Sequence, residues 1–206
     1  PNRETKQLHM REGIETLSQD QAYVAKTLQQ WNLNGLPGRP EIQGKLDTGN
    51  FALVGHSLGG MAGDLTCSRY RAIGACVNLD GATFESITTG LRVKHTKKPH
   101  LLLLSEGTFD YYSEQEKLQE LSQRYLSSWV EPSIGLIKGT EHSSFTDFPI
   151  LLEQYGESAR SHHRSIIEIV DRFLQSATKN IPFDKNFSEW EGVSPVDLHG
   201  RDIPKK

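Results

Sequence analysis

The chain has 206 residues, enough for one domain with a sizeable hydrophobic core or for part of a larger one. Its 23 basic residues against 26 acidic ones leave a net charge of −3, so nothing pulls it globally toward nucleic acid. No apolar run reaches the length of a membrane span and nothing resembles a signal peptide, while Pro1 is not expected to be a native translation start.

Ile14, Leu17, Tyr23, Val24, Leu28 and Trp31 recur at near-helical spacing and predict one long first helix. Asn34-Gly35, Pro37-Gly38 and Pro40 end it in a loop. Phe51-Ala52-Leu53-Val54 reads as a short buried strand. Gly55-His56-Ser57-Leu58-Gly59 follows directly, and Gly60, Met61, Ala62, Gly63 and Leu65 continue as a closely packing helix. Ile73 to Leu79 is a second apolar strand, and Leu101 to Leu104, introduced by Pro99, is the third and most hydrophobic. Ser113 to Leu126 reads as a charged helix with Leu118, Leu121 and Tyr125 inward. Ser133 to Ile137 is a fourth strand. Ser158 to Leu174 is a closing helix in which Ile166, Ile167, Ile169, Val170, Phe173 and Leu174 are apolar. The tail from Ile181 contains proline and is irregular, with Phe183, Phe187 and Trp190 as expected anchors. Cys67 and Cys76 fall on the second helix and second strand and read as free core thiols. The sequon Asn186-Phe187-Ser188 leans slightly toward a secreted or extracellular protein.

Strands that are continuous apolar runs, alternating with helices, indicate an α/β fold: a mostly parallel sheet with helices on both faces. The order of elements is that of the second half of an α/β-hydrolase, beginning at the helix before the nucleophile strand. The expectation is therefore one partial domain over residues 1–206, without the N-terminal strands of such a fold.

The pentapeptide matches the nucleophile elbow, a sharp strand-to-helix turn that presents a serine Oγ above the sheet. Flanking glycines suit it because the turn is tight and the backbones come close. A serine hydroxyl is a poor nucleophile near neutral pH and needs a histidine base oriented by a carboxylate. His142 is the best-placed base, in the loop Gly139-Thr140-Glu141-His142-Ser143-Ser144-Phe145 between the fourth strand and the last helix. His56 lies inside the elbow, His95 and His100 flank the entering end of the third strand, His162 and His163 belong to a helix, and His9 and His199 lie near the termini. For the acid, Asp80 ends the second strand and Glu106 the third, and position alone does not choose between them. The Leu58 amide is the candidate oxyanion donor. No metal or other cofactor is expected, since no ligand spacing of His and Cys occurs. Phe109, Tyr111 and Tyr112 suit either a pocket mouth meeting a lipid surface or a loop packed on the body.

Three blocks together resemble the plasma-type platelet-activating factor acetylhydrolases. They are Gly-His-Ser-Leu-Gly-Gly, then Leu79-Asp80-Gly81-Ala82-Thr83-Phe84, then Gly-Thr-Glu-His-Ser-Ser-Phe-Thr-Asp-Phe. The likeness runs from roughly Met10 through the tail and includes Gly44-Lys45-Leu46-Asp47 and Phe187-Ser188-Glu189-Trp190. It implies Ser57 as nucleophile, His142 as base and Asp80, rather than Glu106, as acid. It also implies calcium-independent hydrolysis of short or oxidised acyl esters of phospholipids. The upstream strands of that family, and the loop giving its second oxyanion donor, have no counterpart here. Two other readings stay open: a general carboxylesterase or polyester hydrolase, and a catalytically impaired module kept for binding.

Overall fold

The computed structural model describes residues 2–81, 91, 93–113, 127–152, 156–179 and 181–196. The chain begins with helix α1 (Arg3–Asn34), capped where the Asn2 side chain accepts the Thr5 amide at 2.9 Å. Helices α2 (Leu58–Arg69), α3 (Glu106–Ser113), α4 (Phe148–Leu151) and α5 (Gly156–Lys179) follow. They are interspersed with strands β1 (Phe51–His56), β2 (Ile73–Leu79), β3 (His100–Ser105), β4 (Ser133–Ile137) and β5 (Val193–Pro195). The sheet has the order β1-β2-β3-β4-β5. Its first four strands run parallel, and β5 pairs antiparallel with β4.

Helices cover both faces, and β3 shows why its sequence is an unbroken run of leucine. Leu101 and Leu103 join Ile166, Ile169 and Phe173 of α5 in the core of one face. Leu102 and Leu104 join Ala25 of α1 and Cys67 of α2 in the core of the other. A strand buried on both faces has no polar side to alternate with. The sequence therefore reads as continuous rather than period-two.

The inward stripe of α1 differs from the apolar set that its periodicity suggests. Ile14, Ser18 and Ala25 are buried, whereas Tyr23 and Val24 are exposed. The reason lies in the helix it packs on. Ala62 and Thr66 of α2 are small, the helices come close, and short or hydroxyl side chains fill the seam; the Thr66 and Ser18 hydroxyls are 2.9 Å apart in it.

Three further expectations change. Cys67 and Cys76 are not free thiols but a disulfide, with Cα atoms 6.3 Å apart. The β1–α2–β2 crossover lays the end of α2 back over β2, which brings two cysteines nine residues apart into bridging range. The tail is not wholly irregular, because Val193–Pro195 adds the antiparallel edge strand. A three-residue strand ending in proline leaves almost no pattern to read, and an edge is where proline is tolerated in a sheet. Helix α3 starts directly after β3, while residues 114–126, most of the helix expected there, lie outside the described residues. In the tail itself Phe187 and Trp190 are buried, and Phe183 meets Phe173 edge-on at 5.5 Å and Phe187 at 5.8 Å. Ile167 of α5 is exposed. Among the described residues no helix is long and apolar enough to cross a membrane.

Candidate active site

Ser57 sits in the turn from β1 into α2 with φ 55° and ψ −125°. A non-glycine residue holds such a backbone only where its surroundings force it, at a cost of about 1–3 kcal/mol. Here the strand and helix backbones touch. A Cβ on Gly55 would stand 2.7 Å from Gly60 N, and a Cβ on Gly60 would stand 2.8 Å from Gly55 O. Gly59, the last glycine of the pentapeptide, has open space where a Cβ would go, so the close approach falls one residue later. The Ser57 amide donates to Leu79 O at 3.0 Å and ties the turn to the end of β2. Leu58 opens α2, and its first-turn amide has no carbonyl one turn back to bond.

Asp80 follows β2 with φ 52° and is fully buried. Its Oδ1 accepts the Ser105 amide at 2.8 Å. Its Oδ2 accepts the Ser105 hydroxyl at 2.8 Å, the Thr108 hydroxyl at 2.9 Å and His142 Nδ1 at 2.9 Å. Four donors satisfy a buried carboxylate that water cannot reach. Ser105 also caps α3, its Oγ accepting the Thr108 amide at 3.1 Å, so the start of the helix delivers these donors to Asp80.

His142 is placed by its loop. Thr140 Oγ1 donates to Ile137 O at 2.6 Å. The Glu141 amide donates to Ser144 Oγ at 3.0 Å, half of a capping box around the 3-10 turn His142–Phe145, and Phe145 enters the core. The start of α3 braces the loop. The Gly139 amide donates to Glu106 Oε2 at 2.9 Å, and the Gly107 amide donates to Thr140 O at 3.1 Å. Glu106 thus holds the loop backbone, while Asp80 takes the imidazole.

His56 supports the same loop from β1. Its Nε2 donates to His142 O at 3.0 Å, and the two rings lie 4.6 Å apart. Burial, and then the charge that His142 can carry, pushes the His56 imidazole below its ordinary pKa. A neutral His56 adds no positive charge beside His142.

Ser57 Oγ lies 2.9 Å from His142 Nε2. Because Nδ1 faces a carboxylate, the proton belongs there and Nε2 is free to accept from the serine hydroxyl. Ser57, His142 and Asp80 therefore form one line of hydrogen bonds at an open cleft of about 450 Å³. A hydroxyl so placed can surrender its proton while attacking an electrophilic carbon.

The other histidines lie elsewhere. His100 is buried with Nε2 2.9 Å from Asp64 Oδ1 and its ring stacked on Trp129. His162 and His163 stand behind the His142 loop, beside Gly139 and Asp147. His9 and His95 are exposed, and His199 lies outside the described residues, as do residues 82–84 of the second motif. Tyr111 lines the cleft and is 59% exposed, while Phe109 packs on the core. Among the described residues no group of three or more His, Cys, Asp or Glu is placed to hold a metal ion. Sequence reasoning missed Ser105 and Thr108, although a serine ending a strand just before an acidic residue is a helix-start signal. It also missed Met10, which reaches the cleft from α1.

Residues 19–196 match the family model of platelet-activating factor acetylhydrolase, isoform II. A platelet-activating factor acetylhydrolase from Cavia porcellus is 25% identical over 167 residues, covering 76% of this chain and 36% of that protein. The chain thus spans about a third of the length of that relative. Among solved structures, a ferulic acid esterase from Streptomyces cinnamoneus superposes with a TM-score of 0.67 at 19% identity. That likeness covers 89% of this chain and 55% of the esterase, and it bears on the α/β-hydrolase fold alone.

Proposed function

Since the chain belongs to the platelet-activating factor acetylhydrolase, isoform II family, we propose that it is a serine-dependent carboxylic ester hydrolase working through an acyl-enzyme. The observation that carries this reading is the pair of 2.9 Å bonds joining Ser57 Oγ to His142 Nε2 and His142 Nδ1 to Asp80.

In this reading Ser57 Oγ forms a bond to the ester carbon as His142 Nε2 takes its proton. The carbonyl oxygen becomes an oxyanion facing the Leu58 amide, and one such donor is worth about 10²–10³ in rate. Collapse breaks the bond to the alcohol, which leaves with the proton from His142. Water then attacks the acyl-serine, giving its proton to the same nitrogen, and Ser57 recovers it as the acid departs. Asp80 holds the tautomer that makes Nε2 the base and stabilises the imidazolium that forms in each half-reaction. The family suggests short or oxidised acyl esters of phospholipids as substrates, taken up without calcium or any cofactor.

Fluorophosphonate labelling with mass-spectrometric mapping tests the reading. The expected result is modification at Ser57 that disappears in His142→Ala. A folded chain that takes no label at Ser57 refutes it and leaves a binding role. Relative rates on phospholipids with acetyl, oxidised and long sn-2 chains then test the substrate class. Equal turnover of simple alkyl esters would point to a general carboxylesterase instead.

A further inference from the structure

A buried polar cluster adjoins the triad. It joins Asp64 of α2, Asn78 of β2 and His100 of β3, all three closed off from solvent. Asn78 stands at its centre. Its Nδ2 donates to Asp64 Oδ2 at 2.5 Å, and its Oδ1 accepts the Gly81 amide at 2.8 Å. His100 Nε2 donates to Asp64 Oδ1 at 2.9 Å, and the His100 ring stacks on Trp129. Both ends of the Asn78 carboxamide are therefore used, as the burial of an amide requires.

The place of this amide ties it to the reaction. Asn78 lies just before Asp80 and Gly81 directly after it, so their bond closes a turn around the acid. That turn holds Asp80 at φ 52°, a left-handed backbone that persists only where its surroundings impose it. The same Oδ1 is wedged against the elbow helix. A Cβ on Gly60 would run into it, and so would one on Gly81, which would also stand 2.6 Å from Ser57 O. Asp64, on the elbow helix itself, holds the other end of the amide. One rigid planar group thus touches both the helix of the nucleophile and the turn of the acid. We infer that Asn78 is a positioning residue: it sets the Asp80 turn, and through it the carboxylate that orients His142, in register with the Ser57 elbow. Asp64, braced by His100, fixes which way the amide points. A flipped amide would set an N–H against the Gly81 N–H and would lose both bonds.

This role rests on the proposed ester hydrolysis, and the test separates the two. Steady-state hydrolysis of p-nitrophenyl acetate by the full chain is measured at temperatures where circular dichroism shows each variant folded. Asn78→Ala should lower kcat about ten- to a hundredfold, as for a slightly misplaced catalytic group, and leave KM within about twofold. On an Asp80→Asn background the same change should lower kcat by less than about twofold, because Asn78 acts through the carboxylate already lost. Asn78→Asp is nearly isosteric and covers the case in which the alanine variant does not fold. It sets a second carboxylate against Asp64 and should lose about tenfold or more in kcat. Adding Asp64→Asn exchanges the two partners and restores all three hydrogen bonds. The exchanged pair should return kcat to within about threefold of the parent. With a parent that labels at Ser57 and is active, any of three results overturns the positioning role alone. They are an unchanged kcat in folded Asn78→Ala, an equal loss with and without the Asp80 carboxylate, and an exchanged pair no better than Asn78→Asp. If the parent neither labels at Ser57 nor turns over any ester, the proposed function fails and this inference fails with it.

Discussion

Asp80→Asn separates the role of the carboxylate from its role as a structural acceptor. Of the four groups that Asp80 accepts from, the Ser105 amide alone is a fixed backbone donor. The asparagine oxygen must stay with it, which puts the NH2 where Oδ2 was, among the Ser105 and Thr108 hydroxyls and His142 Nδ1. The hydroxyls can turn and accept. The imidazole can accept only by moving its proton to Nε2, and then it no longer accepts from Ser57. Nor does the φ of 52° oppose the change, since asparagine tolerates left-handed backbone. The expected loss in kcat is about 10⁴, or about 5.5 kcal/mol of transition-state stabilisation, as for a triad held in the wrong tautomer. Folding should lose only about 1–3 kcal/mol, the penalty of an imperfectly paired buried group. Steady-state hydrolysis of p-nitrophenyl acetate reads the first quantity and urea denaturation the second. An asparagine variant within tenfold of the parent in kcat refutes the tautomer argument. So does a Glu106→Gln variant that loses more activity than Asp80→Asn.

Glu106 offers the complementary case. Glu106→Gln keeps an oxygen for the Gly139 amide and should stay close to the parent in kcat, whereas Glu106→Ala should lose about two- to tenfold through a looser His142 loop, read by the same assay. At the elbow, Ser57→Gly and Ser57→Ala should both abolish turnover. The glycine variant should be about 1–3 kcal/mol more stable in denaturant, since only alanine keeps the strained φ of 55°; equal stabilities would mean that the turn carries no strain. His56 makes stability depend on pH. Its folded pKa lies below the ordinary 6.5, so the unfolded chain binds a proton first as pH falls. The contribution is fully present above about pH 6.5 and is lost as pH drops toward the folded value. Urea denaturation of the parent and His56→Gln at pH 7.5 and 5.5 should show a steeper loss in the parent; parallel losses would reject the shift.

Several elements were legible because their causes are local. β2 and β4 can be bounded to the residue, since short runs of apolar residues between turn signals have one economical reading. The elbow is legible because glycine, serine and small helix residues follow an apolar strand in an order that few other structures need. Candidates for base and acid could be placed at strand ends, but the choice between Asp80 and Glu106 could not be made from position. Both follow strands and both stand beside glycine. What separates them is which one the His142 ring meets. That depends on the rotation of α3 and on the path of a loop more than thirty residues further along the chain.

The sequence by itself determined the parallel α/β order, the elbow and the short set of groups able to serve a serine nucleophile. Periodicity and turn chemistry act between near neighbours, where a linear reading can see them. Only the tertiary structure decided that Cys67 and Cys76 are bridged and that Tyr23 and Val24 face outward. It also decided that Ser105 and Thr108 serve Asp80 and that Met10 reaches the cleft. Each of these depends on how closely a helix settles on the sheet or on another helix. That distance is set by side-chain volumes on both sides of a contact, whose two halves lie far apart in the sequence.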